Sequence, residues 1–80
     1  MIDPQLAKAL IEIAAFLEFS DDETLAPDAA VAAMEQLAAN LQSAEEATRA
    51  ALAKQMRALA ASYPAHSDFV ANLPEALGIE

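Results

Sequence analysis

The residues of this chain that could take part in chemistry are one histidine, several hydroxyls and thirteen carboxylates, and there is no cysteine. His66, Ser67 and Asp68 have the side chains of a hydrolytic triad, but three consecutive residues cannot adopt the geometry of a triad. A single histidine cannot build an ordinary zinc site, and no Glu-x-x-His pair indicates a di-iron bundle. There is no glycine-rich phosphate loop either. The sequence therefore favours a protein that is not an enzyme and holds no cofactor or metal.

The densest carboxylates lie in residues 20–24, where Asp21, Asp22 and Glu23 are consecutive. A calcium loop of the EF-hand type needs oxygen ligands at alternate positions and a central glycine. This segment meets neither requirement, because residues 25–27 interrupt the spacing and no glycine precedes Gly78. Two interpretations of the segment stay open: a solvated loop that caps helices, or a docking site for a cationic partner.

The chain carries a formal net charge of −9, and most of that charge lies in its first half. Residues 1–42 contain eight acids and a single base, Lys8, and no base occurs from residue 9 to residue 48. Such a field repels nucleic acid and anionic membranes and attracts basic proteins. The charge either keeps an alanine-rich surface soluble or recognises a basic protein partner.

The sequence shows no sign of a targeting or membrane segment. The N-terminus lacks a basic region followed by a long apolar run, and no apolar stretch approaches the length of a membrane span. The absence of cysteine fits a reducing compartment. We therefore expect a cytoplasmic protein that does not bind membranes.

The elements that must position the carboxylates are predicted to be helices. Apolar residues recur at steps of three and four over about residues 4–18, 27–42 and 44–62, and a shorter helical segment follows. We predict an all-α fold in which residues 1–80 form one domain, a small three-helix bundle with a short C-terminal helical segment. Its core should be thin, since 22 of its apolar residues are alanine and remove little surface from water.

The clearest periodicity belongs to the third helix, whose buried stripe is predicted to be Leu52, Met56, Leu59 and Tyr63. Ser43 and Glu46 have the spacing of a capping box at the start of this helix. Glu45 stands four residues before Arg49, the order that favours an ion pair along a helix.

The first helix should begin with Asp3 as its cap and Pro4 at its first position. The face predicted to pack into the core consists of Ile2, Leu6, Leu10, Ile13 and Leu17. Ile11 falls outside this stripe on a helical wheel. Phe16 and Phe19 are also off-centre, so they either close the end of the core or form an exposed apolar contact beside the acidic loop.

The second helix should begin at Pro27, and its buried face is predicted to be Ala30, Val31, Met34, Leu37, Ala38 and Leu41. On a different face Asp28, Glu35 and Gln42 follow one another at spacings of seven, with alanines between them. This arrangement predicts a flat, negative strip that is either wetted surface or a surface open to close approach by a partner.

The second and third helices meet at residues 42–43 with hardly any loop, so they form either a tight hairpin or a kinked rod. After the third helix, a short helix is predicted to be interrupted by Pro74 and stopped by Gly78. Leu77 and Ile79 are then available to pack against the bundle.

One acidic helical family of this size, the acyl carrier proteins, is excluded by a motif. Their prosthetic serine stands in an Asp-Ser-Leu sequence that opens the second helix. This chain has no Asp-Ser pair, and Pro27-Asp28 opens its second helix.

The segment from Phe16 to Met34, FLEFSDDETLAPDAAVAAM, resembles the small acidic α-helical immunity proteins that bacteria produce beside a toxin. The size and acidity of the chain add to this resemblance. It implies tight binding to one cognate toxin, whose active site or substrate surface would be blocked. The resemblance assigns no functional residue, because immunity proteins are diverse.

We therefore expect a protein-binding module that contacts a basic partner through an acidic surface. The residues predicted to bind this partner are Ile11, Glu18, Phe19, Asp21, Asp22, Glu23, Asp28 and Glu35. The alternative is a homodimeric structural or regulatory module without catalytic activity. In that alternative, the alanine faces of the second and third helices pack against a second copy of the chain.

Overall fold

The computed structural model describes residues 2–80 and confirms the predicted all-α fold. Its elements are α1 (Pro4–Phe19), α2 (Pro27–Gln42), α3 (Glu46–Leu59), a 3₁₀ turn (Ala60–Ser62) and α4 (Ser67–Ala76). The predicted helices agree closely with these bounds. The short C-terminal helical segment is α4.

The central helix is α3, the stretch with the clearest periodicity. Both α4 and α1 pack against α3, whereas α2 packs mainly against α1. The buried apolar residues come from α1, α3 and the C-terminal segment: Ala7, Ile11, Ala14, Leu52, Ala53, Met56, Val70, Leu73, Leu77 and Ile79. The core therefore lies around α3, and α4 is one of its main walls rather than an appendage.

The start of α1 forms as predicted. The Oδ1 of Asp3 accepts a hydrogen bond from the backbone N–H of Gln5 at 2.8 Å, and Pro4 occupies the first turn. At the other end the hydroxyl of Ser20 donates to the carbonyl of Phe16. Both ends of α1 thus have side-chain partners for otherwise unpaired backbone groups.

The start of α3 differs from the prediction. Ser43 ends α2, and its hydroxyl donates to the carbonyl of Ala39 at 3.0 Å, so it forms no capping box with Glu46. The Nε of Arg49 donates to the carbonyl of Ala44 at 3.1 Å, which takes the guanidinium away from Glu45. Within residues 2–80 the ion pair that forms joins Arg57 and Glu80. The chain is therefore not helical between α2 and α3. The backbone carbonyls of Ala39 and Ala44 accept hydrogen bonds from the two side chains that were predicted to bind Glu46 and Glu45.

The α1 helix turns a different side to the core than the sequence predicts. Its buried residues are Ala7, Ile11 and Ala14, and Ile11 is 0% exposed, whereas Leu6 and Ile13 are 54% and 55% exposed. Helices approach more closely where the contacting side chains are small. The alanines therefore place the narrow side of α1 against α3 and leave the larger residues beside the contact.

The predicted buried face of α2 is only partly covered. None of its residues is buried, and Val31 is 59% exposed. Met34, Leu37, Ala38 and Leu41 are half-buried against the core. The reason is the packing order, since α4 occupies the position beside α3 that a third main helix would take.

The predicted stripe of α3 is confirmed at its centre. Leu52 and Met56 are buried, and Leu59 and Tyr63 pack against the core from its edge. A hydrogen bond of 3.0 Å runs from the Tyr63 hydroxyl to the Oε2 of Glu12 and joins the end of this stripe to α1.

The C-terminus closes the core through a Schellman motif. Gly78 has a φ of 71°, the N–H of Ile79 donates to the carbonyl of Pro74 at 3.0 Å, and the N–H of Gly78 donates to the carbonyl of Glu75 at 3.1 Å. Leu77 and Ile79 are buried as predicted. The prediction that Pro74 interrupts the helix is wrong, because burial of its ring in the core offsets the hydrogen bond that its nitrogen cannot donate.

Candidate protein-binding site

A groove of about 420 Å³ lies where the end of α1, the acidic loop and the first half of α2 meet. Its apolar lining consists of Leu17, Leu25, Pro27, Ala30, Val31 and Met34. Three carboxylates, Glu18, Asp22 and Glu35, also line it and are exposed. In this acidic groove the half-buried side chains of Leu17, Leu25, Ala30 and Met34 form what we call the bottom, and the exposed carboxylates form what we call the rim.

Hydrogen bonds of the loop itself position the rim. The Oδ1 of Asp21 accepts from the N–H of Thr24 at 2.8 Å, and the N–H of Leu25 donates to the carbonyl of Asp21 at 2.9 Å. The bond from the Thr24 N–H is the main reason that the pKa of Asp21 lies below its ordinary value. Asp21 therefore holds the turn, which leaves the neighbouring Asp22 directed to the groove.

Among the residues that the structure describes, no base lines the acidic groove. Arg57, which forms the ion pair found within residues 2–80, pairs with Glu80 at the C-terminus and not with a groove carboxylate. Three carboxylates that line one groove without a neighbouring base attract a cation that enters it. The electrostatics of the groove therefore favour a cationic ligand group.

The structure divides the eight predicted binding residues into three groups. Glu18, Asp22 and Glu35 line the acidic groove. The exposed residues beside them on the loop and at the start of α2 are Asp21, Glu23 and Asp28. Ile11 and Phe19 lie elsewhere.

Ile11 cannot contact a partner, because it is 0% exposed and belongs to the core. The prediction for this residue is wrong. The helical wheel placed Ile11 outside the largest apolar stripe, but the alanines at positions 7 and 14 turn that side of α1 inward.

Phe19 is 49% exposed and takes part in a contact outside the acidic groove. Its ring stacks on the ring of His66 with centroids 4.0 Å apart and meets the edge of Phe69 at 5.1 Å. A smaller hollow of about 270 Å³ lies beside this stack, between Phe19 and residues 64–69. Phe19 thus closes one end of the bundle while keeping half of its surface in water.

Three large apolar residues of α1 are exposed, namely Leu6, Ile13 and Phe16. The sequence predicted burial for the first two and left burial or exposure open for Phe16. Leu6 lies two turns before Ile13, and Phe16 lies one turn after it, so they share one side of the helix, which we call the outer face of α1. Leu17 follows Ile13 by four residues and lines the acidic groove, so the outer face leads into it. The signal that could have shown this exposure is the width of the apolar arc of α1, which exceeds what α2 and α3 together cover.

The total accessible surface supports an incompletely covered fold. It amounts to 5088 Å² for a chain of 8.4 kDa. A compact monomer of this mass exposes about 4,600 Å². The chain thus exposes somewhat more surface than a compact monomer of its size, in keeping with the uncovered apolar residues of α1 and α2.

No family model matches this chain, and no curated protein and no solved structure matches it. Among the helices of residues 2–80, none is long and apolar enough to cross a membrane. In the same part of the chain, no three acidic or histidine side chains are grouped closely enough to hold a metal ion.

Proposed function

We propose that this chain is a cytoplasmic protein-binding module that neutralises a basic partner, as small acidic bacterial immunity proteins neutralise their toxins. The observation that carries the proposal is the acidic groove, which Glu18, Asp22 and Glu35 line together with apolar side chains and which no base of residues 2–80 lines. A basic protein supplies both the missing charge and the missing apolar cover. Binding inhibits the partner by occupying its active site or its substrate surface.

The charge of the chain also supports rapid recognition. Eight acids in residues 1–42 produce a negative field that attracts a basic partner before contact is made. Association is then fast and sensitive to salt, while the apolar contacts determine how slowly the complex dissociates.

The test begins with the gene beside the one that encodes this chain. If that gene encodes a secreted basic toxin, co-expression of this chain should restore growth of cells that produce the toxin. Growth arrest that continues despite abundant folded chain would contradict the proposal.

Binding kinetics at two salt concentrations then test the role of the acids. The double reversal Asp22→Lys and Glu23→Lys should slow association by about tenfold or more and remove much of its salt dependence. The matched control is Glu45→Lys with Glu46→Lys, which changes two exposed acids at the start of α3 by the same charge. If both variants associate equally fast, the acidic surface serves solubility and not recognition.

The second candidate function is a homodimeric structural or regulatory module. It is favoured by the exposed alanines Ala32 and Ala39 of α2 and Ala47, Ala50 and Ala58 of α3, which would allow close packing of a second copy. Sedimentation at micromolar concentration tests it directly. A species of twice the monomer mass that persists on dilution supports this candidate, and a monomer at every concentration excludes it.

A further inference from the structure

We infer that the partner docks a basic amphipathic helix on this chain, with the apolar side of that helix along the outer face of α1 and one of its arginine or lysine side chains in the acidic groove. The inference rests on the proposed function and specifies the binding mode. In this mode the outer face of α1 supplies the apolar contacts, and the acidic groove binds the positive charge.

The outer face of α1 has the length and chemistry of a helix-docking surface. From Leu6 to Leu17 it covers twelve residues, or about 16 Å of helix, which matches about three turns of a second helix. Leu6, Ile13 and Phe16 each expose half or more of their surface along it. Residues 2–80 offer helices and turns, so main-chain pairing with a partner strand is not the mode that this surface supports.

The acidic groove selects the end of a basic side chain. Arginine and lysine have apolar stems that can lie over Leu17, Val31 and Met34, while their charged heads reach a rim of carboxylates. A volume of about 420 Å³ accommodates such a side chain together with part of the helix that carries it. Arginine suits the site best, because its guanidinium can bind a carboxylate through two parallel hydrogen bonds.

Charge excludes the other occupants of this surface. A second copy related by a two-fold axis would bring two sets of the same carboxylates together, and residues 1–42 offer only Lys8 to balance them. Nucleic acid and anionic membranes are repelled by the same field. A basic protein helix covers the apolar face and balances the carboxylates at once.

The test uses two synthetic peptides of about 15 residues with a side-chain staple to keep them helical. The first has leucines at helical spacing on one side and arginines beside them and at one end. The second is identical except that glutamine replaces every arginine. Titration of each peptide into the isotope-labelled chain, followed by NMR, maps the contacted residues and measures the affinity.

The arginine peptide should shift the amide signals of α1, the acidic loop and the first half of α2. The glutamine peptide should bind about tenfold more weakly or worse, because charge-assisted hydrogen bonds are lost. Shifts that cluster on the alanine side of α2 and α3, or no shifts at millimolar peptide, would overturn the inference.

Two pairs of variants separate the apolar and the charged contribution. The double variant Leu6→Glu, Ile13→Glu should bind the arginine peptide about tenfold more weakly or worse, although its two added negative charges attract the peptide. Its control, Ala47→Glu with Ala50→Glu, adds the same charges at exposed positions of α3 and should bind as the parent does.

The second pair of variants tests the charged contribution. Glu18→Gln with Glu35→Gln should also weaken binding of the arginine peptide, whereas the control Glu45→Gln with Glu75→Gln should not. Equal affinities within either pair would overturn the inference.

The inference and the proposed function can fail separately. If the toxin is neutralised equally well by the Leu6→Glu, Ile13→Glu variant, the docking mode is wrong and the proposed function stands. If the arginine peptide binds as described but no basic toxin is neutralised, the docking surface stands and the proposed function is wrong.

Discussion

The helices α4 and α2 show two different outcomes of the same amphipathic pattern. The α4 helix has ten residues and buries Val70, Leu73 and Pro74, whereas α2 has sixteen residues and buries none. The shorter helix thus buries more of its residues in the core than the longer one does. Length and periodicity do not decide which helix completes a core; the decision depends on which helix lies beside the central one, and here that is α4 against α3.

The difference bears on the proposed function, because an incompletely covered helix leaves apolar surface that a partner can contact. On its core side α2 keeps half-buried residues such as Met34 and Leu37, and beside it the outer face of α1 is exposed. One long-range hydrogen bond ties the end of α2 to the closed side of the bundle, from the Gln42 Nε2 to the carbonyl of Leu77 at 2.8 Å. The α3–α4 side stabilises the chain, and the α1–α2 side is the one we propose for binding.

The largest loss of stability is expected at Leu52, and Leu37 on the other side of the bundle serves as the comparison. Leu52→Ala should cost on the order of 2–5 kcal/mol, because Leu52 is buried in the core and its removal leaves a cavity. Leu37→Ala should cost only roughly 1 kcal/mol, because the side chain is half-buried. Urea unfolding of both variants measures the two values. Equal losses would mean that α2 belongs to the core as fully as α3 does.

The next effect is expected at Gly78, where the two sides meet. Its φ of 71° disfavours any side chain, and an added Cβ would lie 2.5 Å from the Nε2 of Gln42. Gly78→Ala should therefore cost about 1–2 kcal/mol through its backbone and also displace the Gln42 side chain. Gln42→Ala alone should cost about 1 kcal/mol.

A double-mutant cycle isolates the contact between these two residues. In the Gln42→Ala background, Gly78→Ala should cost less than in the parent, because the side chain it collides with is absent. Strict additivity of the two losses would show that Gln42 does not lie over Gly78 in solution.

The smallest effect is an alkaline loss of stability through Tyr63. Burial, and then the hydrogen bond to Glu12 and its charge, raise the pKa of Tyr63 above its ordinary value near 10. Above that pH the unfolded chain loses the proton while the folded chain keeps it, so the stabilisation is complete below pH of about 10 and declines as pH rises through the folded pKa. The contact is exposed, so the change is below about 1 kcal/mol.

Tyr63 is the one tyrosine of the chain and there is no tryptophan, so ultraviolet absorbance of the phenolate reports this group alone. Glu12→Gln should lower the titration midpoint without returning it to the ordinary value, because burial, the larger cause, remains. An unchanged midpoint in the variant would show that Glu12 does not contact the hydroxyl.

The helices could be predicted from the sequence because local signals determine them. Asp3-Pro4 marks the start of α1, Pro27 the start of α2 and Gly78 the end of α4, and each acts through backbone chemistry within a few residues. The buried stripe of α3 was predicted for a related reason. It has one apolar side, so there is one way to bury it.

The rotation of α1 and the exposure of α2 could not be predicted, because they depend on distant partners. The apolar arc of α1 includes both Ile13 and Ile11, and a helical wheel cannot say which of them faces α3. Small residues such as Ala7 carry a weak hydropathy signal, yet they set how closely two helices approach. The acidic groove was partly foreseen through Glu18, Asp22 and Glu35, since charge density is visible in a sequence, whereas its apolar bottom is a product of packing.

Native-state hydrogen exchange, measured residue by residue with and without the arginine peptide, tests most directly whether the α1–α2 side is open and binds the peptide. Without peptide, amides of α2 should exchange through local opening at lower free energy than amides of α3 and α4, because α2 buries no residue. With peptide, protection should rise in α1 and the first half of α2 and change little in α4. Equal protection of all four helices without peptide, or a gain confined to α3 and α4 with it, would contradict an open α1–α2 side that serves as the binding surface.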